Sequence, residues 1–326
     1  MLVAKKVLLK PDFDEKLNTV HTLSTLYSGA LQSQAIREKQ YEDILEWISP
    51  SSTNYITPKR SNEVGSTCHW FLVSDKYLEW VGQGRSTLIC SGKGTEPRGS
   101  RITVFSWRRQ IPSRVSSSRL NVSLTRSSVI FNRLLQTPRL GIIYFFFNHS
   151  DRTQTAENVV RVLLRQLLTQ MDAIPSEVRN EYSRYKQDPH KRMPDRQMYS
   201  NLLKCSIEAF FKANKTRIFV LVDAYDELLS TDEEKEINAL AEKKAIRSSL
   251  SQLSGTGHAK ILISTRPHYC QELRNSFPGA IVADVHGDPE DMKTYIKSRL
   301  EPFNFHEALK SEIMEQLLKA SAKEKW

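Results

Sequence analysis

The sequence predicts an α/β protein: a parallel sheet flanked by helices, preceded by an N-terminal helical segment. Two observations predict it. Short runs at residues 141–147, 218–222 and 261–264 are apolar almost throughout. Strands covered on both faces read this way, whereas a strand with one wet face alternates apolar and polar residues. Between these runs lie longer stretches with apolar residues at helical spacing, and strands that alternate with helices build parallel sheets.

The elements follow in order. Residues 14–49 read as helix, with Leu17, Val20, Leu23, Leu26 and Leu31 at helical spacing and Ile44, Leu45 and Trp47 near its end. Ser49-Pro50-Ser51-Ser52 breaks it, and residues 50–66 are polar and loop-like. Residues 69–80 read as one short amphipathic helix carrying Trp70, Phe71, Tyr77, Leu78 and Trp80. A turn at 82–84 leads to a short apolar strand, 87–90, and then to Ser91-Gly92-Lys93-Gly94. From 94 to 128 neither helical nor strand periodicity persists; order returns at 129–135. After the 141–147 strand come a helix at 156–171, with Val159, Val160, Leu163, Leu164, Leu167 and Leu168 on one face, and a helix at 199–212. The 218–222 strand, a charged helix at 234–253 and strands at 261–264 and 281–283 follow. Asp288 as N-cap and Pro289 in the first turn open a helix to about residue 300, and Leu309, Ile313, Leu317 and Leu318 mark a last one.

Composition narrows the function classes. Hydrophobic residues make up 39% and charged residues 26% of 326 residues, ordinary for a soluble globular chain. No apolar run reaches the roughly 20 residues of a membrane helix, and residues 1–13 lack the features of a signal peptide, so a cytoplasmic location without membrane contact is expected. Cys68, Cys90, Cys205 and Cys270 form no CxxC pair, so neither zinc nor a disulfide framework is suggested. The net charge is +10, but seven arginines and one glutamate between residues 94 and 128 account for +6 of it. The rest is nearly balanced, which argues against a nucleic-acid partner as the main function; stacking of Phe105 and Trp107 beside these arginines is the feature that would support one.

Three segments carry candidate chemistry. In Arg217-Ile218-Phe219-Val220-Leu221-Val222-Asp223-Ala224-Tyr225-Asp226-Glu227 a buried strand ends in acids. Ligands of open α/β sheets bind at such strand tips, and a carboxylate there can hold Mg²⁺ against nucleotide phosphates. The plainer reading is a strand followed by a helix start whose acids favour the helix dipole. In Lys260-Ile261-Leu262-Ile263-Ser264-Thr265-Arg266-Pro267 a second strand ends in an arginine suited to a phosphate, or merely in a surface arginine before a turn. The third should be a phosphate loop, G-x-x-x-x-G-K-[ST], after the 87–90 strand. Gly92 and Lys93 stand there, but no Gly-Lys-Ser/Thr follows at the required spacing, and Glu96 and Pro97 bring a negative charge and a missing N–H.

Taken together, Trp47-Ile48-Ser49-Pro50, Trp70-Phe71-Leu72, Leu88-Ile89-Cys90-Ser91-Gly92-Lys93, Tyr144-Phe145-Phe146-Phe147, Leu221-Val222-Asp223-Ala224-Tyr225-Asp226-Glu227 and Ile263-Ser264-Thr265-Arg266-Pro267 resemble the NACHT domain of fungal signal-transduction NTPases with nephrocystin-like N-terminal domains. The resemblance spans about residues 35–93 and 129–318. It implies a P-loop NTPase-like sheet and a STAND-class switch that binds ATP or GTP with Mg²⁺. It implies that Asp223 is the metal ligand, that Asp226 and Glu227 are the acidic pair near the hydrolytic water, that Arg266 is the sensor, and that Gly92, Lys93 and Thr265 contact the nucleotide. Fungal members act in non-self recognition and programmed cell death, through effector or self-association partners. The chain departs from the pattern where the Arg/Ser-rich segment replaces the phosphate loop, and it stops before the repeat region. The expected organisation is a helical segment (1–50), a lead-in with the first strand (51–93), an unstructured insertion (94–128), the NTPase core (129–285) and C-terminal helices (286–326). With the loop broken, hydrolysis is expected to be impaired or absent, and a non-catalytic scaffold is the alternative.

Overall fold

The computed structural model describes residues 32, 34–50, 69–82, 86–92, 134, 140–147, 154–228, 233–285, 289–301 and 303–323. The expectations for residues 14–31, Lys93, the 94–128 segment, most of 129–135 and Asp288 lie outside them. The chain divides into two units, Met1–Ser51 and Ser52–Trp326. In the first, helix α1 spans 34–48, and Ile44, Leu45, Trp47 and Ile48 near its C-terminal end are buried.

The second unit is a five-stranded parallel sheet. Its strands are β1 (Thr87–Ser91), β2 (Gly141–Phe146), β3 (Ile218–Asp223), β4 (Ala259–Thr265) and β5 (Ile281–Asp284), in spatial order β2-β3-β4-β1-β5. All four pairings are parallel. The α/β class is thus as predicted; β1, β3, β4 and β5 run a residue or two beyond the predicted runs, and β2 ends one residue short of its run, at Phe146. Alternation along each strand divides the core in two. Leu88, Cys90, Phe219, Leu221, Leu262, Ile281 and Ala283 face a cluster that includes Phe71, Tyr77 and Trp80. The Trp80 ring meets Phe219 edge-on at 5.4 Å. The residues between them, such as Ile89, Ile143, Val220 and Ile263, point the other way and are equally buried.

Several local features differ from the expectation. The 69–80 stretch is two helices, α2 (His69–Leu72) and α3 (Asp75–Val81). Ser74 interrupts it: its Oγ donates to Phe71 O at 2.7 Å and accepts from Tyr77 N–H at 3.3 Å, ending one helix and capping the next. After α4 (Ala156–Leu168) there is a helix with no amphipathic stripe to announce it, α5 (Ser176–Gln187), of which only Val178 is buried. Then α6 (Arg196–Asn214) begins three residues before Tyr199, because Asp195 caps it by accepting from Met198 N–H at 2.8 Å. Helix α7 (Glu233–Ser254) precedes β4, and α8 (Pro267–Ser276), unread in the sequence, starts with a proline in its first turn. Helices α9 (Pro289–Leu300) and α10 (Glu307–Lys323) match the predicted C-terminal pair.

Strand β2 is an edge, and unpaired edges invite pairing with other chains. Two glutamines of α4 and the turn after it occupy its outward groups. Gln170 accepts from Ile142 N–H at 2.9 Å and donates to Ile142 O at 2.8 Å. Gln166 does the same for Tyr144, at 2.8 and 3.0 Å. Each primary amide takes the place of a peptide unit on a neighbouring strand. The double variant Gln166→Leu/Gln170→Leu is expected to lower the unfolding free energy by about 2 kcal/mol, from backbone groups left unpaired, and to self-associate. Urea unfolding and sedimentation velocity check both.

Candidate functional site

The site lies at the C-terminal tips of β3 and β4. Register places Val222 opposite Ile263, so Asp223 and Ser264 meet just beyond. Ser264 Oγ donates to Asp223 Oδ1 and accepts from Ala224 N–H at 2.9 Å. Asp223 is 3% exposed. Ala224 adopts the left-handed conformation (φ 52°, ψ 43°), unfavourable for a residue with a Cβ. Its N–H bond to Ser264 and the Glu227 N–H bond to its carbonyl, 2.8 Å, hold it there. The kink turns Tyr225–Glu227 into a single 3₁₀ turn instead of extending the strand.

The three acids separate as a result. Asp226 is buried and ion-paired: its Oδ2 lies 2.9 Å from Arg266 Nε, and its Oδ1 accepts from the Arg266 backbone N–H at 3.2 Å. Glu227 is half-buried. The acidic pair expected side by side therefore splits into an inner, paired Asp226 and an outer Glu227. Arg266 directly follows β4 and caps the start of α8. Thr265 is 5% exposed, and its Oγ1 is buried without a hydrogen-bond partner among the described residues. Gly92 stands beside it, but its N–H donates to Thr265 O at 3.2 Å. That amide continues the sheet and is not offered to an anion.

Behind the acids lies a basic layer the sequence did not disclose. Lys243, from α7, is 1% exposed; its Nζ reaches Asp226 O at 3.4 Å and lies 3.9 Å from the Tyr269 ring centre. Arg247 donates to Tyr225 Oη at 2.8 Å and pairs with Glu272. Burial raises the Tyr225 phenol above its ordinary range despite Arg247, and it lowers Lys243 to about 8, with Asp226 opposing. No pattern signals Ser264, Lys243 or Arg247 as site residues. Their roles come from parallel register and from helix packing.

Among the described residues no cluster of three or more His, Cys, Asp or Glu side chains suits a metal ion. A single strand-tip carboxylate, Asp223, suits Mg²⁺, which commonly takes one or two protein carboxylates, with water and phosphate oxygens completing its shell.

Residues 124–266 match the family model described as nephrocystin 3, N-terminal. The match, under half of the 326 residues, contains β2, β3, β4, Asp223, Asp226, Glu227 and, as its last residue, Arg266. It agrees with the resemblance read from these motifs and makes this a nephrocystin-like region. Strands β1 and β5 of the same sheet lie outside it. No curated protein matches the chain. Among the described residues no helix is long and apolar enough to cross a membrane.

Two predictions concern this nephrocystin-like region. Ser264→Ala removes a partner of both Asp223 and Ala224 and is expected to destabilise the chain by about 1–3 kcal/mol, measured by urea unfolding. The second is a pH effect. Burial lowers Lys243 and Lys260 to about 8 from 10.5. Below pH 8 both folded and unfolded chains hold these protons and the burial cost is fully present. Above pH 8 the unfolded chain holds more protons, so stability rises with pH. Above about pH 10 the buried tyrosines Tyr199 and Tyr225, whose phenols are raised, oppose the trend. Unfolding free energy is expected to increase by about 1–3 kcal/mol between pH 8 and 10, and Lys260→Met is expected to reduce that slope.

Proposed function

We propose that this chain is a NACHT-type nucleotide-binding signalling domain that takes ATP or GTP with Mg²⁺ at the tips of β3 and β4 and hydrolyses it poorly. The observation that carries the reading is that the Asp223–Ser264 contact and the Asp226–Arg266 pair stand at the same end of a parallel sheet, beside a buried Thr265 hydroxyl with no hydrogen-bond partner among the described residues. The match to a nephrocystin-type family supports it.

The roles follow from chemistry. Asp223, fixed by Ser264, would hold Mg²⁺ bound to the nucleotide, and the ion would supply charge neutralisation for the phosphates. Arg266 offers its guanidinium to a terminal phosphate oxygen. Glu227, the more exposed acid, is placed to orient water. Weak turnover follows from the sequence: no G-x-x-x-x-G-K-[ST] motif is present to wrap the phosphates with backbone N–H groups and a lysine. A cytoplasmic switch acting on effector or self-association partners is the corresponding biological setting. The missing motif also favours a second reading, a NACHT scaffold that binds partners without nucleotide.

Equilibrium binding of labelled ATP and GTP, with and without Mg²⁺, separates the two. The expected outcome is Mg²⁺-dependent binding weakened at least about tenfold in Asp223→Asn, the loss of about 1.4 kcal/mol. Absence of binding to folded chain rules out the switch and leaves the scaffold reading.

A further inference from the structure

Asp226 is expected from the sequence to work near the hydrolytic water, yet its surroundings suit a different task. Its side chain is 8% exposed, and both of its oxygens are occupied by one residue, Arg266. A base must also be reached by water, and Asp226 is nearly closed to solvent, with its charge already balanced by Arg266 in a buried site where an unpaired carboxylate is costly. Its turn is pinned as well, by Lys243 Nζ at 3.4 Å from the Asp226 carbonyl and by the left-handed Ala224 before it.

Arg266 completes the argument. Asp226 engages it through Nε and through the backbone N–H, and its side chain is 39% exposed. Its two terminal nitrogens, which carry four of the five guanidinium donors, have no ion pair or hydrogen bond among the described residues. An arginine held by Nε keeps its terminal fork free and aimed in one direction, the arrangement suited to two-pronged contact with a phosphate.

We infer that Asp226 is a positioning residue for Arg266: it grips Nε so that the terminal nitrogens are presented to the outermost phosphate of a nucleoside triphosphate. This rests on the nucleotide reading above. Of the two acids, Glu227 alone is then left to handle water. The role makes the contribution of Asp226 to nucleotide affinity dependent on Arg266, which a residue acting on water would not be.

The test uses the full chain, with Asp226→Ala, Arg266→Ala and the double variant. Affinities for Mg²⁺-ATP and Mg²⁺-ADP are measured on each, and ¹⁵N-arginine spectra are recorded without nucleotide. The Arg266 Nε resonance, identified by its loss in Arg266→Ala, is expected to shift in Asp226→Ala. Each single variant is expected to lower the preference for ATP over ADP about tenfold, and the double variant no further than either single. An unchanged preference in Asp226→Ala overturns the proposal, as does an additive loss in the double variant. An Nε resonance that stays in place in Asp226→Ala overturns the tether whether or not nucleotide binds. If the chain binds neither nucleotide, the function proposed above falls, together with phosphate as the ligand of Arg266, while the Nε shift still decides whether Asp226 holds that arginine. Should Asp226→Ala fail to fold, Asp226→Asn keeps the size and one acceptor oxygen, with the same direction expected in both readouts.

Discussion

The parallel pairing of β3 with β4 is the constraint on which the candidate site depends. Five consecutive register pairs, from Ile218 opposite Ala259 to Val222 opposite Ile263, bring two strand tips level with each other. Residues 41 apart in sequence then come within hydrogen-bonding reach, and Ser264 joins the carboxylate of Asp223 to the amide of Ala224. One hydroxyl thereby fixes an acid and stabilises a strained backbone turn. Slip the register by one residue and Ser264 would move to the opposite face of the sheet, because side-chain direction alternates along a strand.

That turn sorts the acids. Because Ala224 turns left-handed, Asp226 folds back toward the start of α8 and meets Arg266, while Glu227 stays nearer the surface. Charge is balanced by layering. Lys243 lies under the turn against Tyr225 and Tyr269, and Arg247 sits between the Tyr225 hydroxyl and Glu272. A buried lysine is unfavourable by itself. Here its ammonium finds a carbonyl and an aromatic face, which offset part of the lost hydration. The arrangement ties α7 and α8 to the turn beyond β3 through Lys243, Arg247, Tyr269 and Glu272.

The rest of the sheet protects this arrangement. Helices α2 and α3 seal one face through Phe71, Tyr77 and Trp80, and paired glutamines close the β2 edge. The nephrocystin-type match covers that edge and the two central strands but not β1, although β1 pairs with β4 directly. Strand β1, which runs into Gly92, thus belongs to the same sheet as the matched strands while lying outside the matched residues.

Much of the fold was legible in the sequence, because burial on both faces leaves a simple mark. Residues such as Ile218–Val222 and Ile261–Ile263 can only be central strands, and the helices around them carry apolar stripes. Asp223 and Arg266 were legible for a related reason: the polar residues that close such a run, Asp223 at once and Arg266 after Ser264 and Thr265, stand at a strand tip. Helix α5 was not legible, since burying Val178 alone leaves no periodicity. Nor was the break at Ser74, where a side chain competes with the helix backbone for its own hydrogen bonds. What the sequence by itself determined was the list of buried strands and the acids and arginine at their ends. What only the tertiary structure decided was what each of them touches: Asp226 with Arg266, Asp223 with Ser264, and Lys243 against the Asp226 carbonyl. Strand order and register are set by contacts between distant segments, and local pattern carries no record of them.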